Sequence, residues 1–351
     1  MSTLNLEIKK IIRETNSVTS LLLQARESDQ LNFTAGQFVT LLFNLDEEEI
    51  RRSFSISSSP LDLPQLRITI KRAEDGLASK HFLDEVKTGE IIKAFHPTGN
   101  FTIKIDPDKK RNAVFIGAGS GITPLYSMIK TILAAEPQGK IALIYGNRNE
   151  SLIIFKDEID MLAKAYKDSL QVEHFLSRPQ NSWNGHVGRI TKENLISTLK
   201  SLANIGYTEA EYYLCGPEGM MQSAAYALNE LGINHHHIHT ENFDVQLLCE
   251  TDRIEEIERE VTIIFRDEEH KINIKPGESI LLKALSLGLE LPNSCQAGNC
   301  GTCRAKLLSG KIQLIEQTAL SEEDIKNGYC LTCVGHAASD DVVILYEEPF
   351  E

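Results

Sequence analysis

Four thiols near the end of this 351-residue chain have the spacing of a metal–sulfur site. Pro292-Asn-Ser-Cys295-Gln-Ala-Gly-Asn-Cys300-Gly-Thr-Cys303-Arg304 gives C-x4-C-x2-C, and a fourth thiol follows in Gly328-Tyr-Cys330-Leu-Thr-Cys333. Thiolates bind soft metals, and three on one tight loop need small residues around them. Gly298, Gly301 and Thr302 meet that need. A structural zinc site usually takes two separated C-x2–4-C knuckles, whereas here three donors share one loop. The spacing therefore points to a [2Fe–2S] cluster on Cys295, Cys300 and Cys303, with Cys330 and Cys333 competing as fourth ligand. Cys249 stands apart and reads as an inert thiol.

A second constellation suits a diphosphate. Val114-Phe-Ile-Gly117-Ala-Gly119-Ser-Gly121-Ile-Thr123-Pro124 follows an apolar strand and opens a helix. Glycines let a backbone approach a pyrophosphate, and a helix N-terminus favours its charge. The order is G-x-G-x-G rather than the dinucleotide fingerprint G-x-G-x-x-G. A third constellation, Arg52-Ser53-Phe54-Ser55, offers a guanidinium for a phosphate, an aromatic face and a hydroxyl. Gly76-Leu-Ala78-Ser79 opens a short helix and suits a second phosphate, with Lys71 just before it.

The elements that must hold these groups change along the chain. Residues 1–105 read as short strands, Leu6–Arg13, Val18–Gln24, Gln37–Phe43, Arg52–Ile56 and Gln65–Lys71, with one helical patch at Ser79–Val86. That pattern implies an antiparallel β-barrel. In residues 110–243, strands Ala113–Ile116, Ile141–Tyr145, Gln171–Leu176, Ala210–Cys215 and His236–Glu241 alternate with helices Pro124–Ala135, Ile154–Tyr166 and Met220–Leu231. Such alternation implies a doubly wound α/β domain with a parallel sheet. After an acidic stretch come strands Val261–Arg266 and His270–Ile274, a helix Ile280–Leu287 and the cysteine loop. The expected boundaries are 1–106, 107–244, a linker 245–260, and 261–351. The histidine run 235–237 with His239 reads as structural.

In this order the motifs resemble the ferredoxin–NADP reductase family followed by a plant-type ferredoxin. The likeness adds Tyr145-Gly-Asn-Arg148, Tyr213-Leu-Cys215-Gly216-Pro217-Glu-Gly-Met220 and Glu241-Asn-Phe243, in the family's order. It covers nearly the whole chain and extends to the reductase components of multicomponent oxygenases, among them the phenylacetyl-CoA epoxidase type. The phthalate dioxygenase reductase type shares the domain order but uses FMN.

The resemblance implies an FAD-binding β-barrel, an NAD(P)-binding α/β domain and an α+β, β-grasp-like ferredoxin domain. It implies that Arg52, Ser53, Phe54, Ser55, Lys71, Gly76, Ala78 and Ser79 serve the flavin side. Gly117, Gly119, Gly121, Thr123, Pro124, Arg148, Cys215, Gly216, Pro217 and Phe243 serve the nucleotide and flavin, and Ser55, Thr123, Cys215 and Glu241 line the hydride path. It favours Cys333 as fourth ligand, from its Leu-Thr-Cys context. Ser177-Arg178 resembles the pair that holds the 2′-phosphate in NADP-specific members, which favours NADPH over NADH. Phe54 replaces the commoner tyrosine and keeps a stacking face. The implied activity is electron transfer from NAD(P)H through FAD and the cluster to an oxygenase component.

Composition sets outer limits. Apolar residues make up 42% and charged residues 25%, as in an ordinary globular protein. The net charge of −14 concentrates in the last third, where residues 261–351 carry 8 Lys and Arg against 14 Asp and Glu. That argues against nucleic-acid binding and suits steering toward a positively charged protein. No run of eighteen apolar residues and no signal-like start are seen, so no membrane span and a cytoplasmic location are expected.

Overall fold

The computed structural model describes residues 3–26, 31–45, 48–73, 76–202, 205–241, 243, 257–315, 317 and 319–347. The chain folds as two compact units, residues 1–244 and 245–351. Most of the expected linker, residues 245–256 with Cys249, lies outside the described residues.

The first unit begins with strands β1 (Thr3–Thr15), β2 (Val18–Ala25), β3 (Phe38–Leu45), β4 (Glu48–Ser55) and β5 (Gln65–Lys71), helix α1 (Leu77–Asp84) and strand β6 (Ile91–Phe95). Their antiparallel order is β4-β3-β6-β1-β2-β5, and a bridge between Ile56 and Ile68 joins the two ends into a barrel. Alternation explains the closure. On β5, Leu66, Ile68 and Ile70 fill the barrel, while Arg67, Thr69 and Lys71 take the opposite face. β6 carries only two buried positions, Ile92 and Ala94, a pattern too short to stand out in the sequence.

The nucleotide-type domain follows. It has β7 (Asn112–Ala118), α2 (Ile122–Ala135), β8 (Lys140–Asn147), α3 (Lys156–Ala165), β9 (Leu170–Leu176), β10 (His186–Val187), α4 (Lys192–Ser201), β11 (Glu211–Cys215), α5 (Glu218–Glu230) and β12 (Ile238–Glu241). The sheet is parallel, in the order β10-β9-β8-β7-β11-β12. β7 is apolar on both faces, as expected of a central parallel strand covered on both sides. α4 is not evident from apolar spacing. A Thr191–Asn194 capping box starts it, and only Leu195, Thr198 and Leu199 are buried.

α2 is buried almost all round because it packs against both the sheet and the barrel. Its polar residues meet barrel partners. Ser127 Oγ donates to Ser58 O at 2.5 Å, and Thr131 and Ser59 hydroxyls bond at 2.9 Å. Arg67 adds a bidentate pair with Glu158 on α3, at 2.7 and 3.1 Å, and lies over the Phe155 ring.

The second unit has β13 (Arg259–Phe265), β14 (Glu268–Ile274), α6 (Ile280–Ser286), β15 (Arg304–Ser309), β16 (Ile312–Leu314), α7 (Glu322–Lys326), β17 (Tyr329–Leu331), β18 (Gly335–Ala337) and β19 (Val342–Leu345). Five strands form a mixed sheet, β14-β13-β19-β15-β17, in which only β13 and β19 run parallel. α6 buries Ile280, Leu281 and Ala284 in this unit's core, giving a β-grasp-like α+β fold. β13 starts at Arg259, two residues before the expected Val261. Among the described residues, no helix is long and apolar enough to cross a membrane.

Candidate functional site

The cysteine loop of the second unit is wound by left-handed residues. Gly298 and Gly301 have φ of +74° and +73°, and Gln296 takes +55°, tied by its side-chain amide to Asn293 Oδ1 at 3.1 Å. This winding turns main-chain N–H groups toward sulfur. Ala297 N and Asn299 N donate to Cys295 Sγ at 3.5 and 3.4 Å, Cys295 N to Cys300 Sγ at 3.5 Å, and Gly298 N to Cys333 Sγ at 3.3 Å.

The thiols meet as two pairs, Cys295 with Cys300 and Cys303 with Cys333. A hydrogen bond from the Cys295 thiol pulls Cys300 down to about 5, and the same contact pushes Cys295 up. Cys303 is pulled down by the Cys333 thiol, and Cys333 is pushed up in turn. Among the described residues, no three Cys, His, Asp or Glu side chains converge on a single-ion site. Two soft donors per metal, with N–H groups aimed at the sulfurs, fit a two-iron cluster better than one tetrahedral ion. Cys330 does not join them. It is buried on β17, where its thiol donates to Ala305 O at 3.4 Å, and burial pushes it up to about 12.

In the first unit, the glycine loop lies where the C-terminal ends of β7, β8 and β11 come together. Gly117 stands beside Tyr145 on one side and Cys215 on the other. A side chain at Gly121 would strike the Cys215 carbonyl, with its Cβ 2.0 Å from the oxygen, so glycine is required for this contact. Gly216 is less tightly confined, since a Cβ there would lie 2.4 Å from Met220 Cε, the movable end of a side chain, and 3.1 Å from Ala118 N. Gly119 has a φ of +56°, and Lys71 Nζ of the barrel stands 3.5 Å from where its Cβ would be. A cationic group over an open glycine peptide fits a diphosphate. Thr123 is buried and donates to Ser120 O at 2.9 Å, and Pro124 is buried in the first turn of α2. Pro217 precedes the first turn of α5 as its cap.

The barrel reaches this edge through Ser55. Its hydroxyl donates to Glu241 Oε2 at 3.5 Å, and Glu241 pairs in register with Cys215. All three are buried. Burial pushes the Glu241 carboxyl up to about 8, with Ser55 opposing the shift. Burial therefore favours the protonated carboxyl near neutral pH.

The other barrel residues surround a separate cradle. Phe54 packs edge-on to Phe82 of α1, with centroids 5.7 Å apart. Ser53 and Thr40 hydroxyls bond at 2.9 Å. Among the described residues, the exposed Arg52 guanidinium donates only to its neighbour's carbonyl, Arg51 O, at 2.7 Å. Ser79 Oγ donates to Gly76 O at 2.8 Å and accepts from Ala73 N at 3.0 Å, with Ala78 buried beside it. A Cβ on Gly76 would come 2.7 Å from Ser79 Oγ. The cradle thus combines a spare guanidinium, an aromatic face and a helix start, which fit an anionic flavin nucleotide. Phe243 is 42% exposed.

Two strand ends are stitched together further along the same edge. Ser177 N donates to Asn147 O at 3.0 Å and Arg178 N to Arg148 O at 2.7 Å. Arg148 and Arg178 are thus neighbours and both exposed, and among the described residues neither guanidinium has a partner. Two groups carry no assignment on sequence grounds. Tyr145 enters the sequence reading only as the first residue of the Tyr145-Gly-Asn-Arg148 match, with no role of its own, yet its hydroxyl donates to Gly119 O at 2.9 Å. Arg67 lies on a strand between buried residues, and only the packed domains reveal its pairing with Glu158.

Comparison with known proteins agrees with this arrangement along the whole chain. The oxidoreductase FAD-binding domain family matches residues 4–103, the oxidoreductase NAD-binding domain family residues 115–225, and the 2Fe-2S iron-sulfur cluster binding domain family residues 263–338. The chain is 30% identical to the ferredoxin reductase component of 3-ketosteroid-9-alpha-monooxygenase from Rhodococcus rhodochrous, over 97% of this chain and 95% of that protein. It is 31% identical to a subunit of 1,2-phenylacetyl-CoA epoxidase from Escherichia coli strain K12, over 98% and 97%. The solved structure of phthalate dioxygenase reductase shares the fold, with a TM-score of 0.63 and 20% identity over 98% of each chain. The chain therefore belongs to the ferredoxin–NADP reductase family with a C-terminal plant-type [2Fe–2S] ferredoxin domain, as an NAD(P)H-dependent flavin iron–sulfur oxidoreductase.

Proposed function

We propose that this chain is the reductase component of a multicomponent oxygenase of the phenylacetyl-CoA epoxidase type, working in the cytoplasm with NADPH. The observation that carries the redox reading is the buried meeting of Ser55 from the barrel with Glu241 and Cys215 beside the glycine loop. The epoxidase relative matches over almost its full length, which supports the choice of acceptor. The steroid monooxygenase reductase matches equally well, so an oxygenase of that kind is the second reading.

Bound there, FAD supplies the exchange between a two-electron hydride donor and one-electron acceptors, and the cluster supplies the one-electron exit. This chain's residues prepare the ground. Arg52, Gly76, Ala78 and Ser79 hold the flavin's phosphates, and Phe54 covers its ring. Ser53 sets the strand through Thr40, and Ser55 orients the redox edge. Gly117, Gly119, Gly121 and Lys71 receive the nucleotide diphosphate, and Thr123 and Pro124 shape the start of α2. Cys215, Gly216 and Pro217 form the wall beside the nicotinamide, with Phe243 at its margin. Glu241, whose burial favours its uncharged form, keeps charge off the hydride path. Cys295, Cys300, Cys303 and Cys333 hold the cluster.

Rapid mixing with NADPH should bleach the flavin and the cluster bands in turn, and no bleaching would refute the reading. Arg148 and Arg178 are exposed neighbours whose guanidinium groups have no partner among the described residues, which supports a 2′-phosphate between them. Arg178→Ala should therefore raise the KM for NADPH about tenfold and leave that for NADH unchanged. An unaltered NADPH preference would remove Ser177 and Arg178 from the nucleotide site.

A further inference from the structure

The glycine loop owes its orientation to a residue outside it. Tyr145 lies on β8 beside Gly117, fully buried. Its hydroxyl donates to Gly119 O at 2.9 Å. One residue on, Thr123 Oγ1 donates to Ser120 O, also at 2.9 Å. Two successive carbonyls are thus turned into the domain.

A trans peptide is planar, so its N–H points opposite to its C=O. With the Gly119 and Ser120 carbonyls held inward, the Ser120 and Gly121 N–H groups face away from the core. Successive N–H groups presented in this way make an anion-binding concavity. Lys71 Nζ stands over the same glycine. The loop's own backbone contributes one donor, Ile122 N, which closes the single turn Gly119–Gly121 onto the same two carbonyls. Gly119 sits at φ +56°, and glycine rotates there without steric penalty. The Tyr145 and Thr123 hydroxyls add to that one short turn the anchors that come from outside its backbone.

We propose that Tyr145, seconded by Thr123, is a positioning residue for the nucleotide diphosphate, locking the Gly119–Ser120 peptide so that its N–H faces the ligand. This rests on the reading that the NADPH diphosphate lies on the glycine loop. Burial also pushes the Tyr145 phenol far up, so it remains a donor at every working pH. The residue has no need to touch the nucleotide. Phenylalanine would fill the same space, and only the hydroxyl distinguishes them.

The test is calorimetric titration of the holoenzyme and of Tyr145→Phe with NADP+, ADP and 2′-AMP. ADP carries the diphosphate alone, and 2′-AMP carries the adenine and 2′-phosphate without it. Tyr145→Phe should bind NADP+ and ADP about tenfold more weakly, the worth of one charge-assisted hydrogen bond. Its affinity for 2′-AMP and its flavin and cluster absorbance should match wild type. Equal affinity for ADP in the two proteins overturns the inference, as does a parallel loss for 2′-AMP. If wild type binds neither NADP+ nor ADP, the nucleotide reading itself fails. If Tyr145→Phe does not fold, Thr123→Val removes the second anchor, and the same selective loss is expected. Unchanged ADP binding there overturns the inference equally.

Discussion

The cysteine loop and the Ser55–Glu241 corner, the two places proposed to handle electrons, are assembled in opposite ways. The loop takes three of its four thiols from nine consecutive residues and orients them with its own main-chain N–H groups. The corner joins residues 186 positions apart and depends on two domains being packed together. A loop of the first kind works through composition and local winding, and one side chain can destroy it. A corner of the second kind works through burial. Its chemistry is tuned by what surrounds it, and single changes should adjust it rather than abolish it.

The largest expected effect follows from the loop. Cys300→Ser removes a donor that is paired with Cys295 and receives the Cys295 N–H. The cluster's visible and electron paramagnetic resonance signals should be lost, and cytochrome c reduction with them. Reduction of the flavin by NADPH should continue, because the barrel and nucleotide domain fold as a separate unit. Cytochrome c reduction at the full rate would show that the cluster is not the exit.

The same contrast explains what was legible in the sequence. The four thiols proposed as cluster ligands stand out through spacing and sequence context, because their geometry is local. The long apolar runs of β7, β8 and β11 are equally plain, since a strand buried on both faces leaves a continuous signature. The short β6, β10 and the strands after the cysteine loop are not, because strands of two to six residues carry too few buried positions to show a period. The pairings of Ser55 with Glu241 and of Arg67 with Glu158 leave no local signal, although the family resemblance already set Ser55 and Glu241 on one hydride path. Both are created when the domains pack, and a side chain's partner across such a boundary leaves no trace in its own neighbourhood. Thr123 illustrates the limit from the other direction. Its motif suggests a place on the hydride path, while its hydroxyl turns inward to Ser120 O.

A moderate effect should come from the corner. Glu241 is neutral below about pH 8 because burial disfavours its charge. Above that pH it ionises beside the arriving hydride, and a buried negative charge opposes the negative charge that hydride brings. The rate of flavin reduction by NADPH should therefore fall severalfold as pH rises through about 8 in wild type. In Glu241→Gln it should stay flat. Stability should follow the same group. The ordinary carboxyl value is 4.5, so between about 4.5 and 8 the unfolded chain releases a proton that the folded state keeps. Wild type should lose stability across that window relative to Glu241→Gln, and level off above it. Parallel pH profiles for the two proteins would place the titration elsewhere.

The smallest effect isolates Cys330 from the cluster. Only three positions before Cys333, it is directed into the core of its unit, where its thiol meets Ala305 O across the β15–β17 pair. Cys330→Ala removes a weak hydrogen bond and leaves a space of about one sulfur atom, which costs on the order of 1 kcal/mol. Thermal unfolding should shift by a few degrees, with the cluster's spectrum and potential unchanged. Cys333→Ala should instead lose the cluster, because Cys333 pairs with Cys303 and receives the Gly298 N–H. The two substitutions remove the same atoms, so their difference measures where each thiol points. If Cys330→Ala loses the cluster and Cys333→Ala keeps it, the fourth ligand belongs on β17 rather than at the turn that follows it.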